Sequence, residues 1–154
     1  MSDWIKLRAA EIRSAEKEKK DERDRQAQVA SALKAKAEPF WNSLVTVLQE
    51  SVKDFNVEFP EPERRIDHFE RPFPTAVTIR RTVYPAALVR AQLNGSSTSV
   101  HYTISRTQRK GSEAVEKQGN FVFGVTNGDV GYVEGGVSQH EDVAKLFLEP
   151  FFEF

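Results

Sequence analysis

The residues of this sequence best suited to bind an anion lie in three segments, 76–83, 86–93 and 98–106, in which polar and apolar side chains alternate. Alternate side chains of a β-strand point to opposite faces of its sheet. The predicted polar face carries Thr78, Arg80, Thr82, Arg90, Gln92, Ser99, His101, Thr103 and Ser105. Guanidinium and imidazole groups beside hydroxyl donors can hold an oxyanion.

We therefore assign Arg80, Arg90, His101 and Thr103 to a candidate ligand-binding surface. The same residue types are also typical of a sheet face that is merely exposed to solvent, so both interpretations stay open. The face lacks the exposed aromatic residues on which single-stranded nucleic acids stack. We accordingly expect no nucleic-acid partner.

The sequence offers little other chemistry. It contains no cysteine, and its three histidines, His68, His101 and His140, lack the spacing of a local metal site. No nucleophile elbow, dinucleotide fingerprint or phosphate-binding loop occurs. Gly135-Gly136 precedes a predicted helix, but nearby carboxylates would repel an anion there. We predict no catalytic residue, no metal and no cofactor, and we expect His140 on the surface.

Two turn signals predict how the strands pair. Asn94-Gly95-Ser96-Ser97 predicts a hairpin; a four-residue loop pairs Ala91 with Val100, and a two-residue loop shifts this pairing by two. Arg90 and His101 are then opposite or diagonal neighbours. Asn127-Gly128 predicts a second, tighter hairpin that pairs Val125 with Val130 and Phe123 with Tyr132.

Helical periodicity brackets these strands. Apolar residues recur every three or four positions from Pro39 to Phe55, which predicts an amphipathic helix with Pro39 as a kink or first-turn residue. Near the other end of the sequence, Ser138 and Glu141 form a predicted capping box, and Pro150 ends the short helix that follows. The phenylalanines after Pro150 are expected to cover the sheet or the first helix.

The segment before Pro39 is a charged helical arm. Within Arg13–Gln26, RSAEKEKKDERDRQ, eleven of fourteen residues are charged, and opposite charges recur four apart. Such a segment can be a helix, a solvated spacer or a disordered tail. The apolar residues before it, Trp4, Leu7, Ala10 and Ile12, predict contact with a second copy of the chain or another protein. No heptad repeat supports a tight coiled coil.

Together these features predict an α+β protein: a charged arm over residues 1–38, and a single domain over residues 39–154. That domain contains an antiparallel meander of five to six strands and a short C-terminal helix, with the helices on one face of the sheet. The leading hypothesis is a non-enzymatic interaction or self-association module. The alternative is a domain that binds a small or anionic ligand on the sheet or between the sheet and the helix, and an enzyme is third. We expect a cytoplasmic protein without a membrane partner.

Overall fold

The computed structural model describes residues 2–94, 98–126 and 128–154 and has the predicted α+β architecture. The elements in chain order are α1 (Asp3–Glu58), β1 (His68–Phe73), β2 (Ala76–Arg81), β3 (Ala86–Asn94), β4 (Ser99–Thr107), β5 (Val115–Thr126), β6 (Asp129–Glu134), α2 (His140–Leu148) and a 3₁₀ turn (Glu149–Phe152). The strands form one antiparallel sheet in the order β1-β2-β3-β4-β5-β6.

Both helices cover the apolar face of this sheet, and the core lies between the helices and the sheet. The strands contribute the residues that alternation predicted to point inward, namely Val77, Ile79, Ala87, Val89, Ala91, Leu93, Val100, Tyr102, Ile104, Phe121 and Phe123, all of which are buried. In the C-terminal half of α1, Trp41 is fully buried, and its indole N–H donates to the Pro74 carbonyl at 2.9 Å. The helix is thereby attached to the turn between β1 and β2.

The arm and the first core helix are one continuous helix, because α1 runs through Pro39 without ending. Proline has no N–H, so the Ala35 carbonyl loses its helical partner. Ala35 is exposed, which allows water to take the place of that partner. The helix first touches the core at Leu33 and Ala37, and Lys36 donates to the Gly128 carbonyl at 2.7 Å.

The two hairpins differ in how well turn chemistry predicted their register. In β5–β6, Phe123 pairs with Tyr132 and Val125 with Val130, as predicted; Asn127 itself lies outside the described residues. In β3–β4 neither predicted register is right, since Ala91 pairs with Tyr102.

The error in β3–β4 has a structural reason. Asn94 pairs with Ser99, so it belongs to the strand rather than to the turn. The remainder of the predicted turn, residues 95–97, lies outside the described part of the chain. Thr98 has a φ of 52° and its carbonyl accepts the N–H of Phe123 at 3.0 Å, which holds it next to β5. The register moves by two residues, and therefore every side chain keeps its predicted face.

The start of α2 also differs from its predicted cap. Gln139, rather than Ser138, is the N-cap residue, and the carboxylate belongs to Asp142 rather than Glu141. That carboxylate accepts the Ser138 N–H at 2.9 Å, the Ser138 hydroxyl at 2.7 Å and the Gln139 N–H at 3.1 Å. These hydrogen bonds lower the pKa of Asp142. The capping box thus lies one residue later than predicted. Glu141 and Asp142 are adjacent, and it is Asp142 that occupies the third helical position and makes the hydrogen bonds.

One charged side chain, Arg81, lies inside the molecule. It is the last residue of β2, and alternation places it on the same face as Val77 and Ile79. Its guanidinium donates to four backbone carbonyls, those of Pro85 (2.9 Å), Arg64 (3.0 Å), Phe151 (2.8 Å) and Glu153 (2.8 Å). The same group lies 5.8 Å from the centroid of the Phe151 ring.

These contacts connect three stretches of chain that are distant in sequence. Burial lowers the pKa of Arg81 and the charge of Asp67 opposes that change. Arginine remains protonated in proteins, so the charge is buried and is balanced by carbonyl dipoles. The C-terminal residues are therefore held against the end of β2.

We predict that Arg81→Met destabilises the protein by about 3 kcal/mol, because it leaves carbonyls without donors in a region with little access to water. The neighbouring Arg80 is exposed and faces the opposite side of the sheet. Arg80→Met is the matched control and should change stability by no more than about 0.5 kcal/mol. Urea unfolding followed by tryptophan fluorescence measures both. Equal stabilities of the two variants would contradict this role for Arg81.

Candidate functional site: a polar groove on the open sheet face

The face of the sheet opposite the helices carries a groove of about 500 Å³. Strand pairing arranges its lining in three rows across the strands. The rows are His68, Arg80 and Leu88; then Glu70, Thr78, Arg90 and Thr103; then Phe73, Ala76, Gln92 and His101. All four residues assigned from the sequence, Arg80, Arg90, His101 and Thr103, thus line a single groove.

The two arginines are close enough to act on the same ligand. Thr78 pairs with Arg90, and Arg80 lies two residues beyond Thr78 on β2. Diagonal neighbours of this kind have Cα atoms about 7–8 Å apart, within reach of long side chains. Among the described residues, neither guanidinium has an ion-pair or hydrogen-bond partner. Both groups therefore retain their full capacity to donate hydrogen bonds to an anion.

His101 continues the same diagonal on β4. It pairs with Gln92 and lies two residues from Thr103, the partner of Arg90. Of the two predicted relations of Arg90 and His101, opposite or diagonal, the structure has the diagonal one. The His101 Nδ1 atom lies 2.8 Å from Asn120 Oδ1. An amide oxygen only accepts, so Nδ1 carries the proton. The Nε2 atom has no partner in the part of the chain that the structure describes.

An exposed aromatic residue, Phe73, also lines the groove and was missed by the sequence analysis. The pairing of β1 with β2 shifts by one residue between Glu70 and Phe73, so that Phe73 pairs with Ala76. A one-residue shift moves a side chain to the other face of a sheet. Regular alternation would have put Phe73 on the helix side. The prolines on either side of it, Pro72 and Pro74, were the available signal of irregularity.

The groove has an excess of positive charge. Glu70 is its one carboxylate among the lining residues, and Glu70 Oε1 lies 3.6 Å from Nδ1 of His68 rather than in an ion pair with either arginine. Positive charge and several donors favour an anionic ligand. Nowhere in the described residues do three histidine or acidic side chains come together in a way that could hold a metal ion.

A second group of interacting side chains joins both helices to the sheet edge. The Tyr132 hydroxyl lies 2.6 Å from Nδ1 of His140, and the Phe40 ring of α1 lies 4.5 Å from the imidazole. The expectation that His140 lies on the surface is therefore wrong: it is half-buried. The reason is that Phe40 comes from α1, which is distant in sequence, and that the chain turns back between β6 and α2 to bring Tyr132 against the imidazole.

Burial shifts the pKa values of both groups towards their neutral forms. It raises the pKa of Tyr132, with the charge of Asp142 adding to the effect, and it lowers the pKa of His140. This pair supports packing between α1, β6 and α2, and it is separate from the groove, to which neither residue contributes.

Comparisons with protein-family models, with curated proteins and with solved structures find no match. Over the described residues, no helix combines the length and apolar character required to cross a membrane.

We predict that His140 makes stability depend on pH. The unfolded chain binds a proton at His140 near pH 6.5, whereas the folded chain binds it only at lower pH. Above about pH 6.5, His140 is neutral in both states and does not lower the free energy of unfolding. Below that pH the free energy of unfolding falls, because the unfolded chain binds a proton that the folded chain does not. His140→Gln should lose less stability than the wild type between about pH 7.5 and 5.5. Urea unfolding at both pH values measures the difference, and identical losses would contradict the prediction.

Proposed function

We propose that this protein is a non-enzymatic interaction module. In this proposal the N-terminal half of α1 pairs with the same segment of a second copy of the chain. The observation that carries the proposal is the position of residues 3–32. They are helical, yet none of them packs against the core, which α1 first meets at Leu33. Thirty helical residues extend about 45 Å.

The far end of this projecting helix exposes large apolar side chains. Trp4 is 69% exposed, Leu7 is 67% exposed, and Ile5 and Ile12 are about half exposed. Single exposed apolar residues are common, but four within nine positions form a cluster that favours contact with another surface. Burying each large side chain contributes about 1.5–3 kcal/mol.

Charge and apolar distribution favour an antiparallel pair of arms. The root of the arm is again apolar, with Ala27, Val29 and Ala30 exposed before Leu33. Two antiparallel arms place the apolar tip of one against the apolar root of the other. The mixed charges of residues 13–26 then face one another around the twofold axis. Such an interface is self-complementary, as twofold symmetry requires.

Local charge pairing supports the helix before association. Arg8 lies 3.2 Å from Glu11 and Arg25 lies 3.4 Å from Glu22. Exposed pairs of this kind contribute only about 0.2–0.5 kcal/mol each. A long helix is usually stabilised by burial of one face rather than by such pairs. A second arm would provide that burial.

We expect sedimentation velocity of the full chain to show a dimer at micromolar concentration. Trp4→Ser combined with Leu7→Ser should shift the equilibrium to monomer, because both apolar contacts are lost. The matched control is Lys6→Ser with Arg8→Ser, which changes the same turn of the helix but keeps its apolar residues. The control should remain dimeric.

The unfolding midpoint of the domain at low protein concentration should be the same in both double variants, since residues 4–8 do not touch the core. A wild-type protein that sediments as a monomer would overturn the proposal. Dissociation of both double variants to the same extent would do so too, because it would show that the apolar tip has no specific role.

A further inference from the structure

We propose that the groove on the open sheet face binds a small ligand in which an oxyanion, carboxylate or phosphate, is attached to a flat apolar ring. Nothing in this proposal depends on the arm or on self-association. It rests on the residues that β1, β2, β3 and β4 bring together, and on the different chemistry of the two ends of the groove.

The oxyanion would bind at Arg80 and Arg90. These guanidinium groups are diagonal neighbours on β2 and β3, and neither has a partner among the described residues. Arginine presents a planar set of donors that matches the oxygens of a carboxylate or phosphate. Thr78 and Thr103, which pair with Arg90 from either side, offer hydroxyl donors in the same row.

The apolar ring would bind at the other end of the groove. Phe73 is 65% exposed, and the register shift in β1 directs it to this face beside Ala76. The side chain of Ala76 is short, so the surface of the groove is recessed there, between Phe73 and Gln92 of the same row. A flat ring can lie in this depression against the phenyl group. Aromatic contacts of this kind add about 0.5–1.5 kcal/mol beyond the area that they bury.

The size and charge of the groove limit the ligand. A volume of about 500 Å³ suits a small molecule, because ligand clefts usually measure about 300–1,000 Å³. Glu70 lies in the same row as Arg90 and disfavours a ligand with many negative charges. One oxyanion joined to one ring satisfies both limits. The Nε2 atom of His101, which has no partner among the described residues, offers a further polar contact to the ligand.

Isothermal titration of the full-length protein tests the proposal with phenyl phosphate, benzoate, inorganic phosphate and phenol at constant ionic strength. We expect phenyl phosphate or benzoate to bind about tenfold more tightly than either inorganic phosphate or phenol, because only they combine the two features. The stronger of the two identifies the preferred oxyanion. Absence of binding by both at millimolar concentration would overturn the proposal.

Substitutions then locate the bound molecule. Arg80→Gln and Arg90→Gln should each weaken binding about tenfold, since each removes a charged donor. Phe73→Ser should remove the advantage of the ring and leave the affinity for inorganic phosphate unchanged. The matched control is Arg109→Gln, an exposed arginine in the loop after β4, which should bind like the wild type.

Unchanged binding in both Arg80→Gln and Arg90→Gln, or an equal loss in Arg109→Gln, would overturn the proposal. The melting temperature of each variant shows whether it is folded, and we expect it to match that of the wild type because these side chains are exposed. Since the titration is independent of the oligomeric state, its failure leaves the proposed pairing of arms untouched, and a monomeric protein would leave the groove untouched.

Discussion

The buried charge of Arg81 is the constraint on which the arrangement of the domain depends. A guanidinium inside a protein is tolerated only where its N–H groups are satisfied, and here the nearby Pro85 carbonyl and carbonyls from two distant stretches satisfy them. Because Arg81 must point inward to reach these carbonyls, its neighbour Arg80 must point outward. The contact that closes the core thus also fixes one side of the groove.

The two proposed surfaces arise from different physical situations. The groove is built on β2, β3 and β4, whose residues on the opposite face, such as Ile79, Val89 and Tyr102, are buried, so its side chains are positioned by a rigid support. The arm has no such support, since residues 3–32 rely on helix propensity and on exposed charge pairs. A rigid surface is suited to a small ligand, whereas an extended helix with an apolar tip is suited to a partner that covers it.

A single irregularity in β1 changes the character of the groove. Without the shift between Glu70 and Phe73, the groove would have no aromatic side chain. With it, one end is aromatic and the other is cationic. Bulges commonly re-aim a side chain near a binding site. The effect here is to place an apolar surface beside two arginines that have no partner in the described residues.

The sequence by itself determined the order of the elements and the side of the sheet on which the residues of β2, β3 and β4 lie. Period-two alternation was sufficient to place Arg90 and His101 outside and Val89 and Tyr102 inside, because a side chain cannot change face without a shift of register. It also determined the β5–β6 pairing, where a two-residue turn leaves little choice. These features depend on residues that are near one another in the chain.

The tertiary structure alone decided the rest. The β3–β4 register depends on Thr98 being held by β5, the burial of His140 depends on Phe40 and Tyr132, and the burial of Arg81 depends on carbonyls as distant as Glu153. Turn and helix signals act over a few residues. They cannot report contacts between residues that come together only after the sheet and helices have packed.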